Sequence, residues 1–206
     1  MAKSWENALT VLALIYLAAF SFPAFVTEIS LSTQIRLDIV QWATWALFAL
    51  DLVIGIWKSD DKKAYLKAHP LEILTVALPF LRPLRLLRVV SFGALVIQKV
   101  AVGKQIAITF KVFLFSILIA YIAAVQITIT ERDVSNSNIK SFGDGLWWAV
   151  TTVTTVGYGD RFPTTSVGRV LAVGLMLVGI SLMGVITASV AAWFVKMSQE
   201  ESNPKL

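Results

Sequence analysis

This sequence contains no cysteine. Disulfide cross-links and thiolate-held metals are therefore excluded. It has a single histidine, His69, which cannot build a metal cluster and is expected in a loop or at an interface. Charge is scarce too: Asp, Glu, Lys and Arg make up 15% of the 206 residues, against about 25% in soluble domains. No sequence repeat is visible, and there is no phosphate-cradling glycine loop or paired nucleophile and base. Enzyme chemistry is accordingly not expected, and neither is a cofactor.

Apolar residues fill the space instead, at 57% of the chain. Soluble domains hold roughly 45–50%, so the excess indicates an integral membrane protein. At ~20 residues per spanning helix there is room for about six spans with short connections, and none for a large soluble domain. The apolar segments run from about Ala8 to Val26, Leu37 to Trp57, Leu66 to Pro79, Pro83 to Ile97, Ile106 to Thr130 and Val167 to Val195. Phe142 to Thr154 is too short to cross and reads as a re-entrant helix. The first segment follows Lys3, as a signal peptide would, but it is long and aromatic and reads as a retained span.

A net charge of +5 would raise nucleic acid as a partner in a soluble protein. Here the lysines sort by side instead, and no nucleic-acid partner is expected. In a six-span arrangement Lys3, Lys58, Lys62, Lys63, Lys67, Lys99, Lys104, Lys111, Lys196 and Lys205 share one side. Arg36, Arg132, Lys140, Arg161 and Arg169 fall on the other. The positive-inside rule then places both termini in the cytoplasm of a cell-membrane protein.

The most specific stretch is Thr154-Thr155-Val156-Gly157-Tyr158-Gly159-Asp160, lying between the last two spans. An extended strand there, with its carbonyl oxygens facing one axis, can replace the hydration shell of a bare cation if several copies surround that axis. Glycine at 157 and 159 allows backbone angles that other residues resist. Thr155 adds a hydroxyl oxygen, while Val156 and Tyr158 are expected to pack outward and brace the strand. The segment closely resembles the selectivity filter of potassium channels, with Trp147-Trp148 and the threonine run 151–155 upstream, and Asp160 and Pro163 downstream. The resemblance implies K+ binding at Thr155, Val156, Gly157, Tyr158 and Gly159. It also implies filter support from Trp147, Trp148 and Asp160, with Trp147 donating to Asp160. With one filter per chain, the assembly is expected to be a homotetramer, each chain meeting three identical subunits and membrane lipid.

Arg82, Arg85 and Arg88 recur every third residue inside an apolar segment, where arginine is costly and usually functional. Each step climbs about 4.5 Å along a helix. Phe48 precedes Asp51 by three residues, on one helical face, and Glu72 supplies a second acid. Together these resemble the voltage-sensing domain of six-span voltage-gated potassium channels, of the prokaryotic type with minimal cytoplasmic regions. The resemblance makes Arg82, Arg85 and Arg88 gating charges. Phe48, Asp51 and Glu72 become the plug and counter-charges that hand them across, with Asp38 an outer acid. Three charges in each of four subunits would carry roughly 28 kcal/mol per 100 mV at most. The series stops early, since Ser91, Ala94 and Ile97 take the next positions, and Arg82 precedes Pro83, which disfavours helix at 82. A fixed salt-bridged scaffold, and with it a voltage-insensitive or ligand- or lipid-gated pore, is the alternative.

The expected fold is all-α. A voltage-sensor-like domain of four spans (1–97) leads through a linker helix (98–105) to a pore domain of span, pore helix, filter and span (106–197), then a short cytoplasmic tail (198–206). Gly179 lies where the family has a hinge glycine; close helix packing explains a glycine there equally well.

Overall fold

The computed structural model describes residues 2–77 and 104–202, and every regular element among them is an α-helix. The chain divides into two units, residues 1–92 and 93–206. Four of the described helices are long and apolar enough to cross a membrane, over Ala8–Phe25, Leu31–Lys58, Thr109–Glu131 and Ser166–Gln199. The protein is thus a multi-pass membrane protein, all-helical over the described residues. Arg82, Arg85 and Arg88, the expected fourth span and residues 98–103 of the expected linker lie outside the described residues.

In the first unit α1 (Ala2–Phe25) packs on α2 (Leu31–Lys58), which also meets α3 (Lys62–Ala68) and α4 (Pro70–Ala77). Leu9, Ala13, Tyr16, Phe20 and Ala24 are buried along one stripe of α1, the spacing of a helix that buries one face. Thr44, Phe48 and Leu52 form the matching stripe of α2. Ser30 caps α2, its hydroxyl accepting from the N–H of Thr33 at 3.3 Å. Asp61 caps α3, accepting from Lys63 and Ala64 at 2.9 and 3.0 Å.

The expected third span from Leu66 to Pro79 is not one continuous helix. His69 sits at φ −121°, ψ 47° and ends α3, and Pro70 opens α4. The proline ring crowds the residue before it out of helical geometry, yet suits a first helical position, where no N–H is needed. Leu66 therefore belongs to the short exposed helix before the break.

In the second unit α5 (Lys104–Glu131), α6 (Phe142–Val153) and α7 (Ser166–Ser202) pack around one core. Ala120, Ala123, Ala124 and Ile127 of α5 meet Trp148, Ala149 and Val153 of α6 and Ala172, Leu175 and Leu182 of α7. The alanines let helix backbones approach closely, which matters where lipid offers no hydrophobic incentive to pack. The described part of α5 starts at Lys104, inside the expected linker. α7 runs to Ser202, beyond the expected start of the tail at 198, because Ser198 to Ser202 holds neither glycine nor proline to stop it.

Candidate filter and its supports

α6 is set by its N-terminus. Ser141 and Asp144 form a capping box, in which the Asp144 N–H donates to Ser141 Oγ and the Ser141 N–H donates to Asp144 Oδ2 at 3.0 Å. At the other end the helix runs out through Thr154, whose N–H reaches Val150 O at 3.0 Å. The chain then folds back, and the N–H of Gly157 donates to Thr151 O at 2.9 Å. This bond ties the middle of the glycine-rich segment to the C-terminal carbonyls of α6.

The segment has left-handed backbone at its two glycines, where the sequence allows it, and at Thr155 as well. Thr155, Gly157 and Gly159 have φ of 62°, 55° and 79°, and Val156 and Tyr158 between them do not share that region. The physical reason lies in the carbonyls. Successive peptide groups of a regular strand face opposite ways, whereas alternating left-handed residues turn the chain back at each second step. Glycine takes such angles without strain. Thr155 does not; a β-branched residue held there costs on the order of 1–3 kcal/mol and needs its surroundings to hold it.

Side-chain contacts converge on the C-terminal end of the segment. Trp147 Nε1 donates to Asp160 Oδ2 at 2.9 Å, and the Trp147 ring lies face to face with Tyr158, centroids 5.5 Å apart and planes within 2°. Tyr158 and Val156 are otherwise exposed in the single chain. Trp148 is buried in the core beside Ala149. Arg161 Nε donates to Asp144 Oδ1 at 2.8 Å. Burial raises the Asp144 carboxyl, but bonds from the Lys140 N–H, the Ser141 hydroxyl, Arg161 and the Ser141 N–H outweigh it and hold the group below its ordinary range. Asn138, in the loop before α6, bonds both Asp160 O and the Phe162 N–H.

The least anticipated group is Glu131, the last residue of α5, fully buried. Its carboxylate accepts from Thr164 N–H and Thr165 N–H at 3.0 and 2.9 Å and from their hydroxyls at 2.6 and 2.7 Å. Thr165 in turn caps α7, accepting from Gly168 N–H at 3.0 Å. The carboxylate thus meets the positive end of α7, where negative charge is stabilising. No motif surrounds Glu131 or Asn138. The traces of Glu131 in the sequence are an acid closing an apolar run and a Thr-Thr pair opening the next. Asn138 leaves no trace, since its partners are backbone groups.

Gly179 lies against α6. A Cβ there would stand 2.6 Å from Val153 O, so glycine is required by close approach. α7 is continuous through it. Lower down, Thr109 Oγ1 of α5 and Ser189 Oγ of α7 share a hydrogen bond of 2.7 Å.

In the first unit Phe48 is buried and Asp51 half-buried, both on the packed face of α2. Tyr65 sits over Gly55, and Trp45 Nε1 donates to Val76 O at 3.4 Å, so α4 runs antiparallel to α2. One turn back from Val76, Glu72 therefore comes level with Phe48 and Asp51. Asp38 is exposed and about 15 Å along α2 from Phe48, outside that group.

Residues 114–196 match the family described as Ion channel. Over 97% of this chain and 76% of its own length, the voltage-gated potassium channel of Aeropyrum pernix is 30% identical. The calcium-gated potassium channel TvoK of Thermoplasma volcanium is 39% identical over 44% of this chain and 26% of its own. Human potassium voltage-gated channel subfamily KQT member 4 is 39% identical over 48% of this chain and 13% of its own.

Proposed function

Because this chain belongs to the voltage-gated potassium channel family, and is thus a channel and not an enzyme, we propose that four copies form a K+-selective pore opened by membrane voltage. The filter is Thr155, Val156, Gly157, Tyr158 and Gly159. The observation that carries this reading is the alternation of left-handed residues at 155, 157 and 159. Repeated around a shared axis, it turns successive carbonyl oxygens toward a dehydrated ion, the arrangement used by potassium-selective filters with four strands. The C-terminal carbonyls of α6, bonded to the filter through Gly157, carry partial negative charge and favour a cation there. The exposed Val156 and Tyr158 then gain partners from adjacent subunits.

On this reading residues 1–97 form a four-span sensor, 98–105 a linker and 106–197 the pore domain, with both termini cytoplasmic and lipid around the spans. Arg82, Arg85 and Arg88 pass Phe48 while Asp51 and Glu72 neutralise them in turn. The level placement of Phe48, Asp51 and Glu72 supports this assignment, and so does the relative from Aeropyrum pernix, whose likeness spans 97% of the chain. Gly179 serves as a hinge only if α7 bends there in a second state. The likeness to a calcium-gated channel is confined to 44% of the chain, which keeps a voltage-insensitive pore as the second reading.

One recording decides between them. Purified protein in a planar bilayer with opposed potassium and sodium gradients should reverse near the potassium equilibrium potential and open steeply with voltage. R85Q and R88Q should each flatten or shift the conductance–voltage curve. Sodium current equal to potassium current would overturn the filter reading. An unchanged curve in both variants would overturn the sensor reading and leave the filter intact.

A further inference from the structure

We propose that Asn138 is a positioning residue for the filter: its side-chain amide clips the chain where it leaves Gly159 and thereby sets how long the filter keeps its conducting shape. The proposal rests on the reading of residues 155–159 as a potassium filter. Asn138 Nδ2 donates to Asp160 O at 3.0 Å, and Asn138 Oδ1 accepts from the Phe162 N–H at 3.1 Å. These two bonds fix the amide's orientation, because turning it over would set donor against donor and acceptor against acceptor. The side chain behaves as a borrowed peptide group and closes a ring across Asp160, Arg161 and Phe162.

Asp160 is consequently held by different elements acting on different atoms, with a longer contact of 3.5 Å from Arg161 Nη1 to its carbonyl besides. Trp147 of α6 holds its carboxylate at 2.9 Å. That grip is on a side chain and leaves the main chain free to turn about the intervening bonds. Asn138 grips the main-chain carbonyl itself, one peptide beyond Gly159. Arg161, the residue enclosed by the ring, is tied to Asp144 at 2.8 Å. The outer end needs this. A row of carbonyl dipoles facing one axis repels itself once its cation leaves, and glycine at 157 and 159 offers little resistance to backbone rotation. The clip therefore resists splaying of the outer filter during moments of low occupancy.

The test compares N138A and N138D with the wild-type channel in planar bilayers, following potassium current during sustained opening at low and high external potassium. N138D keeps an acceptor for the Phe162 N–H and loses the donor to Asp160 O. Both variants should open with wild-type selectivity. Their current should then decline faster than wild type, about three- to tenfold in N138D, which loses one ordinary hydrogen bond, and more in N138A, which loses two. Raising external potassium should slow the decline more in the variants than in wild type, a dependence that a purely structural defect would not produce. Decline rates and potassium dependence equal to wild type would overturn the proposal. If N138A fails to assemble, N138D is judged by the same criterion. A wild-type channel that passed sodium freely would defeat the filter reading itself; a selective wild type with unaltered variants defeats only the role of Asn138.

Discussion

The two units are positioned by different kinds of contact. In the first, the described contacts are apolar stripes of α1 and α2 and local caps at Ser30 and Asp61, joined by a long bond of 3.4 Å from Trp45 to Val76 O. In the second, side chains reach 13 to 34 residues along the chain to make directional bonds: Trp147 to Asp160, Asn138 to Asp160 and Phe162, Glu131 to Thr164 and Thr165. Apolar contacts are non-directional and tolerate sliding. Hydrogen bonds weaken steeply with angle and distance and do not. A segment that must hold oxygens at fixed positions, as the proposed filter does, needs the second kind. Helices that must move, as the proposed sensor does, need the first.

The sharpest way to break this comparison is to remove one polar anchor from each unit. E131A should be the largest single loss, about 2–4 kcal/mol, because it strands two part-buried N–H groups and two hydroxyls. T44V in α2 removes a hydroxyl that bonds only within its own helix, to Val40 O and Gln41 O at 2.9 Å, and should cost under ~1 kcal/mol. Denaturation of the purified protein in detergent measures both. Equal losses would end the distinction.

Next in size is G179A, at about 1–3 kcal/mol from overpacking against Val153. Its stability loss should appear even if channel opening is unaltered, which separates packing from hinge bending. A variant of full stability with altered opening would favour the hinge. W147F follows, at about 1 kcal/mol. It keeps the ring face on Tyr158 and loses the donor to Asp160, so potassium conductance should become less persistent while the fold survives; unchanged persistence would remove Trp147 from the support set.

The smallest effect concerns acid. Asp144 has a folded value below its ordinary 3.8, so its ionised form contributes stability that is full above that value and is lost as pH falls through the lower folded one. Wild type should therefore lose more stability than D144N on acidification below about pH 4. Parallel acid limbs in the two proteins would show that the bonds the Asp144 carboxylate accepts from Lys140, Ser141 and Arg161 add nothing.

Composition and short motifs made the membrane class, the short helix over 142–153 and the unusual backbone of the glycine-rich segment legible, because each depends on local pattern. A long apolar run needs a bilayer wherever it sits, and glycines at 157 and 159 permit unusual backbone angles whatever surrounds them. The break at His69-Pro70 was legible in principle from the proline, yet an apolar run spanning it read as one helix. The left-handed Thr155, the burial of Glu131 on the start of α7 and the clip made by Asn138 were decided by tertiary structure alone. Each depends on backbone groups brought together from far along the chain, and a main-chain N–H or carbonyl is the same at every position of a sequence.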